Sequence, residues 1–322
     1  MNQEEKDILY MRRCFQLAAC GLGRTAPNPL VGCVIVKDGR VLSEGFHQYY
    51  GGWHAERNAI LNYEFGRLNW EGAANSKSEI RNSTLYVNLE PCSHYGKTPP
   101  CADLIIEKGI KKVVCCNDDP NPLVAGRGFA KLEAAGIEVV RHVLEEEGRA
   151  LNRRFFTFME EHRPYIILKW AESADGFMAP ATKGKYWISN AHQTRMSHRL
   201  RTTEAAILVG SQTYLDDQPQ LTPRHYSGRQ PLRIVLDRRG RLNDVPEGWL
   251  HLRCQSLGDV MEELFDRKVQ SLIVEGGRQV LDSFIAEGLY DEVLVFRGEK
   301  YYGSGLKAPG LDAVDGGTVR LA

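Results

Sequence analysis

No apolar run in this chain of 322 residues approaches the roughly 20 needed to cross a bilayer. Charge of one sign is also missing. Lys+Arg and Asp+Glu stand at 41 each, so the net charge offers nothing to a nucleic-acid backbone. Cysteine is scarce, with eight over the whole length. Cys115 and Cys116 are adjacent, and Cys14, Cys20 and Cys33 lack framework spacing, which excludes a disulfide scaffold. Thiols used this way fit a reducing compartment, and the expected location is cytoplasmic. The opening stretch Met1-Asn2-Gln3-Glu4-Glu5-Lys6-Asp7 is polar and acidic, unlike a secretory signal. Internal repeats, low-complexity tracts and a G-x-G-x-x-G dinucleotide fingerprint are absent too. What remains is an ordinary soluble composition, 25% charged and 43% hydrophobic, at a length that suggests about two domains.

Against that background one constellation stands out. Trp53-His54-Ala55-Glu56-Arg57-Asn58 is answered by Pro91-Cys92-Ser93-His94 and, further on, Pro99-Pro100-Cys101. One imidazole and two thiolates make three ligands for zinc and leave a fourth tetrahedral position open, the mark of a catalytic site. A water there becomes a nucleophile near neutral pH, and a neighbouring carboxylate, Glu56, can carry the protons. His-x-Glu followed by Pro-Cys and a second cysteine is the pattern of zinc-dependent nucleobase deaminases. His54 and Glu56 lie about 200° apart on an ideal helix, so both approach one metal only if it sits off the helix's first turn. Gly51-Gly52 and the helix formers after His54 place a helix start there. Cys92 follows the strand-like run 84–89, and Cys101 opens a second helix, where a thiolate is favoured. The remaining cysteines read as buried apolar residues.

Taken in order, helical spacing predicts a helix over 5–22, then strands over 33–36 and 41–46 joined by the hairpin turn Lys37-Asp38-Gly39-Arg40. The first zinc helix follows. Residues 63–82 read as a polar surface excursion. A strand over 84–89, the second zinc helix, a strand over 111–116, a helix over 125–135 and a strand over 137–140 complete a layered α/β half. Residues 144–162 read as one connector helix, and Arg163-Pro164 marks a boundary. We expect domains at 1–147 and 164–322 with a connector at 148–163. The second half restarts with a strand over 165–170, followed by a helix over 190–201, strands over 205–210, 230–237 and 271–277, a helix over 279–287 and a strand over 291–296. Glu275-Gly276-Gly277 at a helix start can cradle phosphate through free N–H groups and the helix dipole. Arg201 and Arg224 are candidates for a phosphate ester or the 2′-phosphate of NADP.

With these residues laid out, the chain resembles the bifunctional riboflavin-biosynthesis enzymes. The first half carries the match through Pro27-Asn28-Pro29-Leu30-Val31-Gly32, His54-Ala55-Glu56, the two cysteine segments, Asp119-Pro120-Asn121-Pro122 and Gly126-Arg127-Gly128. Eight residues between the cysteines separate it from the Cys-x-x-Cys deaminases. The second half matches through Ser173-Ala174-Asp175-Gly176, Trp187-Ile188-Ser189, Arg201, the 213–219 stretch, Leu221-Thr222-Pro223-Arg224, Gln230-Pro231-Leu232-Arg233-Ile234 and Glu275-Gly276-Gly277.

The resemblance implies a cytidine-deaminase-like three-layer α/β/α domain followed by a dihydrofolate-reductase-like α/β domain. It implies one Zn2+ on His54, Cys92 and Cys101, with Glu56 as proton shuttle, and hydrolytic deamination of 2,5-diamino-6-ribosylamino-4(3H)-pyrimidinone 5′-phosphate. NADPH-dependent reduction of the ribosyl chain to ribityl would follow. Carried over by position, Ala171, Trp187, Thr213, Asp217, Gly277, Arg278, Gln279, Val280, Leu281, Asp282 and Ser283 contact NADP. Asn28, Lys185, Arg201, Leu221, Arg224 and Glu275 contact substrate. The expected partners are small molecules and further copies of the chain, through the reductase half, with no nucleic acid and no membrane. Three departures bear on that half: Lys185 replaces a small serine, Gln218 replaces an acid, and Arg297-Gly298-Glu299-Lys300 replaces an apolar segment before an early end. The last strand is expected to be short or missing. The competing readings are a deaminase with a ligand-binding but non-reducing second domain, a tRNA-type base deaminase, and a non-enzymatic protein with a structural zinc.

Overall fold

A strand such as Cys33-Val34-Ile35-Val36, apolar at every position, must be covered on both faces. The computed structural model, which describes residues 1–68, 80–95, 99–122, 124–182, 184, 186–310 and 318–321, shows how. Internal contacts divide the chain into two units, Met1–Glu160 and Glu161–Ala322.

In the first unit β1 (Gly32–Lys37), β2 (Arg40–Phe46), β3 (Thr84–Leu89), β4 (Lys112–Asn117) and β5 (Glu138–Val140) form one sheet in the order β2-β1-β3-β4-β5. The first two pairings are antiparallel, and β3, β4 and β5 run parallel. Side chains alternate across the pleat. Cys33, Ile35, Leu85, Val87, Val113 and Cys115 face α2 (Ala55–Leu68), α3 (Cys101–Lys108) and α4 (Arg127–Ala134). Val34, Val36, Tyr86, Val114 and Cys116 face α1 (Gln3–Ala19), which presents Tyr10, Met11 and Cys14. This is a three-layer α/β/α unit. Asp38 and Gly39, at φ 52° and 76°, make the expected hairpin turn.

Two expectations fail here. The first zinc helix does not stop before 63, because Ala59, Ile60 and Tyr63 extend its apolar stripe and all three are buried. Of the supposed excursion, residues 69–79 lie outside the described residues. The connector is not one helix but two, α5 (Glu145–Leu151) and α6 (Arg153–Glu161). They break at Asn152, whose buried carboxamide accepts from Leu30 N (2.8 Å) and donates to Leu30 O (2.9 Å). A polar side chain with both partners supplied by one distant backbone residue outcompetes helix continuation.

In the second unit β6 (Tyr165–Glu172), β8 (Ala206–Gly210), β9 (Leu232–Leu236), β10 (Trp249–Leu252), β11 (Ser271–Val274), β12 (Glu292–Arg297) and β14 (Thr318–Leu321) form a sheet in the order β10-β9-β8-β11-β6-β12-β14. Every pairing is parallel. One face packs on α9 (Leu257–Asp266) and α10 (Arg278–Ala286), and the other packs on α7 (Ala191–Thr203) through Met196 and Leu200. The pair β7 (Phe177–Pro180) and β13 (Gly305–Lys307) stands apart. The sequence reading omits β7, β10, β13, α8 (Ser211–Asp217) and α9, although Ser256 and Asp259 form a full capping box at the last of these. The last strand, β14, is present and short, paired from Thr318 to Glu292 through Leu321 to Val295. An all-parallel sheet brings its strands' carboxyl ends to one edge, where such folds bind ligands.

Candidate active sites

Three element ends converge in the first unit. His54 stands immediately before α2, and its carbonyl accepts the first helical bond, from Asn58 N. Cys92 lies in the loop after β3, and Cys101 is the first residue of α3, behind Pro100. His54 Nδ1 lies 3.5 Å from each of the two Sγ atoms. These three donors form the one metal-competent cluster found among the described residues. Zinc–nitrogen and zinc–sulfur bonds of about 2.0–2.1 and 2.3 Å at a tetrahedral angle place N and S about 3.6 Å apart, so the donor set fits zinc. Among the described residues no further protein donor joins the cluster, which leaves one corner for a non-protein ligand.

The protons are arranged to suit. The Cys92 thiol is pushed down to about 4 by its hydrogen bond with Cys101 and by His54, despite burial. Cys101 is raised well above the usual range, first by Cys92 and then by burial. Glu56 is 3% exposed, and burial lifts its carboxyl to about 6. A carboxyl there exchanges protons close to neutral pH.

Two supports were not read from the sequence. Glu90, buried just ahead of Pro91-Cys92, accepts backbone N–H bonds from Gly126 (3.0 Å), Gly128 (2.8 Å), Asp119 and Phe129. It thus ties the zinc loop to the start of α4. Only glycine fits at 128, since a Cβ would lie 2.0 Å from Pro91 O. His47, also buried, has its Nδ1 2.9 Å from Trp53 O and its Nε2 3.1 Å from Asn28 Nδ2. A carbonyl only accepts, so Nδ1 carries the proton and Asn28 Nδ2 donates to Nε2. Asn28 Oδ1 is thereby oriented as the acceptor of that side chain.

In the second unit a cavity of about 670 Å³ opens at the carboxyl edge of the sheet. Thr213, Asp217, Gly277, Arg278, Gln279, Val280, Ser283 and Glu275 line it, together with Arg238, Arg239 and Arg241. Gly277, at φ +42°, opens α10 toward it. Ala171 and Trp187 lie outside that lining; the indole is 71% exposed. Leu281 packs in the core and Asp282 pairs with Arg278 Nε (2.6 Å), because successive helical residues point to different faces. Glu275 accepts from Arg201 Nη2 (2.7 Å) and meets Lys169 Nζ at 3.3 Å. Burial pushes its carboxyl up, but Lys169 and Arg201 overcome that and hold it below its ordinary value. Lys169, the one charge in the apolar run 165–170, was the available signal for a residue the sequence reading left out. Leu221 is buried at φ +51°, and Arg224 is exposed. Lys185 falls outside the described residues.

Comparison with known proteins meets this geometry in both units. Residues 4–117 match the family model of the cytidine and deoxycytidylate deaminase zinc-binding region, and residues 164–314 match that of the RibD C-terminal domain. The riboflavin biosynthesis protein RibD of Actinobacillus pleuropneumoniae is 39% identical, over 92% of this chain and 85% of its own. That of Escherichia coli is 36% identical, over 95% and 92%. Among solved structures, a diaminohydroxyphosphoribosylaminopyrimidine deaminase/5-amino-6-(5-phosphoribosylamino)uracil reductase from Thermotoga maritima superposes with TM-score 0.85 at 39% identity, covering 95% of this chain and 90% of that one. The chain is thus a cytidine-deaminase-like α/β unit followed by a dihydrofolate-reductase-like α/β unit. With a zinc cradle in its first unit, a cofactor-sized cavity in its second and likeness across both, the chain belongs to the RibD family of riboflavin biosynthesis proteins.

Proposed function

We propose that the chain deaminates 2,5-diamino-6-ribosylamino-4(3H)-pyrimidinone 5′-phosphate in its first unit and reduces the ribosyl group of the product to ribityl in its second. The observation that carries the reading is the pair of 3.5 Å approaches of His54 Nδ1 to Cys92 and Cys101, with buried Glu56 beside them. A zinc ion held there supplies a water acidic enough to act as nucleophile near neutral pH. Glu56 would carry a proton from the attacking water to the departing amine, so that amine plus water would become carbonyl plus ammonia. Asn28, oriented by His47, accepts from the pyrimidine.

In the second unit NADPH supplies the reducing equivalents. Thr213, Asp217, Gly277, Arg278, Gln279, Val280 and Ser283 border its cavity. Arg201, Arg224, Leu221 and Glu275 flank the ribosyl phosphate, with Lys169 and Arg201 keeping Glu275 ionised. Substrate and product are small molecules, and no helix among the described residues is long and apolar enough to cross a membrane. A homo-oligomer formed through the reductase half and a cytoplasmic location complete the reading; the eight free thiols favour a reducing compartment.

The test is sequential turnover by purified protein. The diamino substrate should release ammonia, and only then should NADPH be oxidised. A chelator should stop both steps when the reaction starts from the diamino substrate, but spare NADPH oxidation when it starts from the deaminated one. NADPH oxidation without prior ammonia release would overturn the order.

A further inference from the structure

Arg224, a proposed contact of the substrate phosphate, is exposed and lies in the stretch between α8 and β9. A long cation on a loop binds weakly unless its backbone is fixed beforehand, because ordering it costs free energy at the moment of binding. The packing of segment 221–228 shows what fixes it.

Leu221, at its start, is buried with Ile207, Val209 and Ile273. Thr222 O then accepts from Arg201 Nη1 (3.3 Å). Beyond Arg224, His225 N donates to His198 Nδ1 (3.4 Å), and the two imidazoles meet edge-on with centroids 4.6 Å apart. At Gly228 a Cβ would lie 2.5 Å from Thr202 Cβ, so the chain still runs close along α7. His198, Arg201 and Thr202 are separated by three and four positions, which places them on one face of that helix. This face grips the segment on both sides of Arg224.

The grip at His198 depends on its protonation. A backbone N–H only donates, so Nδ1 accepts and the ring's proton is on Nε2. His198 is 3% exposed. Burial, followed by the charges of Arg201, His225 and Arg224, pushes it down to about 4, against the opposing pull of Glu275. The ring is therefore neutral near pH 7, and Nδ1 is free to accept. A buried imidazole crowded by cations is costly to keep, and packing alone would be served by an apolar side chain.

We propose that His198 is a positioning residue for the reduction. By holding the backbone at His225 it sets Arg224 for the substrate's phosphate, and so sets the preference for the phosphorylated over the dephosphorylated ribosyl compound. The proposal rests on the reading of Arg224 as a phosphate contact. Arg201, committed to Glu275, secures the other end of the segment at Thr222.

The test is steady-state NADPH oxidation by the full chain, with the deaminated substrate and with its dephosphorylated form. His198→Phe keeps the bulk of the ring and removes the acceptor. KM for the phosphorylated compound should rise roughly tenfold, the usual worth of one such bond, with kcat and the KM of the dephosphorylated form unchanged. His198→Asn returns an amide acceptor close to the ring position of Nδ1 and should restore most of the affinity. If the ring only filled space, Phe would match wild type and Asn would be the weaker variant, which would overturn the assignment. Equal losses for both compounds would overturn it too. Arg224→Ala should raise the same KM, and adding His198→Phe to it should cost little more, because both act through one contact. Additive losses would show that His198 does not act through Arg224. If Arg224→Ala leaves that KM unchanged, the phosphate reading of Arg224 fails first, and the role of His198 falls with it.

Discussion

The two units are both α/β sandwiches, yet they hold their chemistry differently. In the first, three ligands sit at two helix starts and in the loop after a strand, and meet within 3.5 Å contacts around His54 Nδ1. In the second, the cavity is bordered by backbone turns after parallel strands and by side chains of several polar types. A metal demands few residue types at fixed separations, whereas a nucleotide accepts many donors along its length. The zinc site therefore tolerates less change, and the comparison can be broken by changing one residue on each side.

The largest effect should come from Glu56→Ala. Ammonia release should fall roughly 10²- to 10⁴-fold, the usual contribution of a positioned proton carrier. Zinc content by elemental analysis and NADPH oxidation with the deaminated substrate should not change. Residual ammonia release near the wild-type rate would show that another group moves the proton.

On the other side, Glu275→Ala strands Lys169 and Arg201, whose side chains are each 11% exposed. Breaking a buried ionic cluster costs about 3–5 kcal/mol. Urea unfolding should show that loss in the second unit alone, with reduction abolished and ammonia release retained. A coincident loss in both units would deny that they are separate.

Gly128→Ala tests the Glu90 clamp. The new methyl would press on Pro91 O, at 2.0 Å, and overpacking of this kind costs about 1–3 kcal/mol. The expected sign is faster zinc loss to a chelator, with no change in NADPH binding. An unchanged rate of metal release would show that the clamp does not govern the cysteine loop.

The smallest effect is on pH. Glu56 must begin ionised to take a proton, and burial holds its carboxyl at about 6. Ammonia release should therefore fall as pH drops through that value, approaching about tenfold per unit below it. Reduction should lack that limb, and so a shared limb would point to a common rather than a local cause.

The strength of the sequence signal followed the same division. His54, Glu56, Cys92 and Cys101 could be read because zinc chemistry restricts what may occupy those positions. Glu90 and His47 could not: the role of Glu90 exists only through the backbone of Gly126 and Gly128, 36 and 38 residues on, and that of His47 through a loop fold that brings the Trp53 carbonyl to one ring nitrogen and Asn28 to the other. The break at Asn152 was hidden for the same reason, its partners lying 122 residues away. In the second unit, strands β6, β8 and β11 announced themselves as apolar runs. β10 did not, because Trp249-Leu250-His251-Leu252 is short and mixed at the sheet's edge. Of the cofactor contacts carried over by position at 277–283, helix geometry turns Leu281 to the core and Asp282 to Arg278, and leaves the other five on the cavity.

The most direct test of the central claim is X-ray absorption at the zinc edge on purified protein, with metal counted per chain. The account predicts one zinc per chain, with two sulfurs at about 2.3 Å and nitrogen or oxygen neighbours at about 2.0–2.1 Å. It also predicts that Cys92→Ser removes one sulfur from that shell. A shell of four protein donors, a third sulfur, or zinc bound without Cys92 and Cys101 would contradict it.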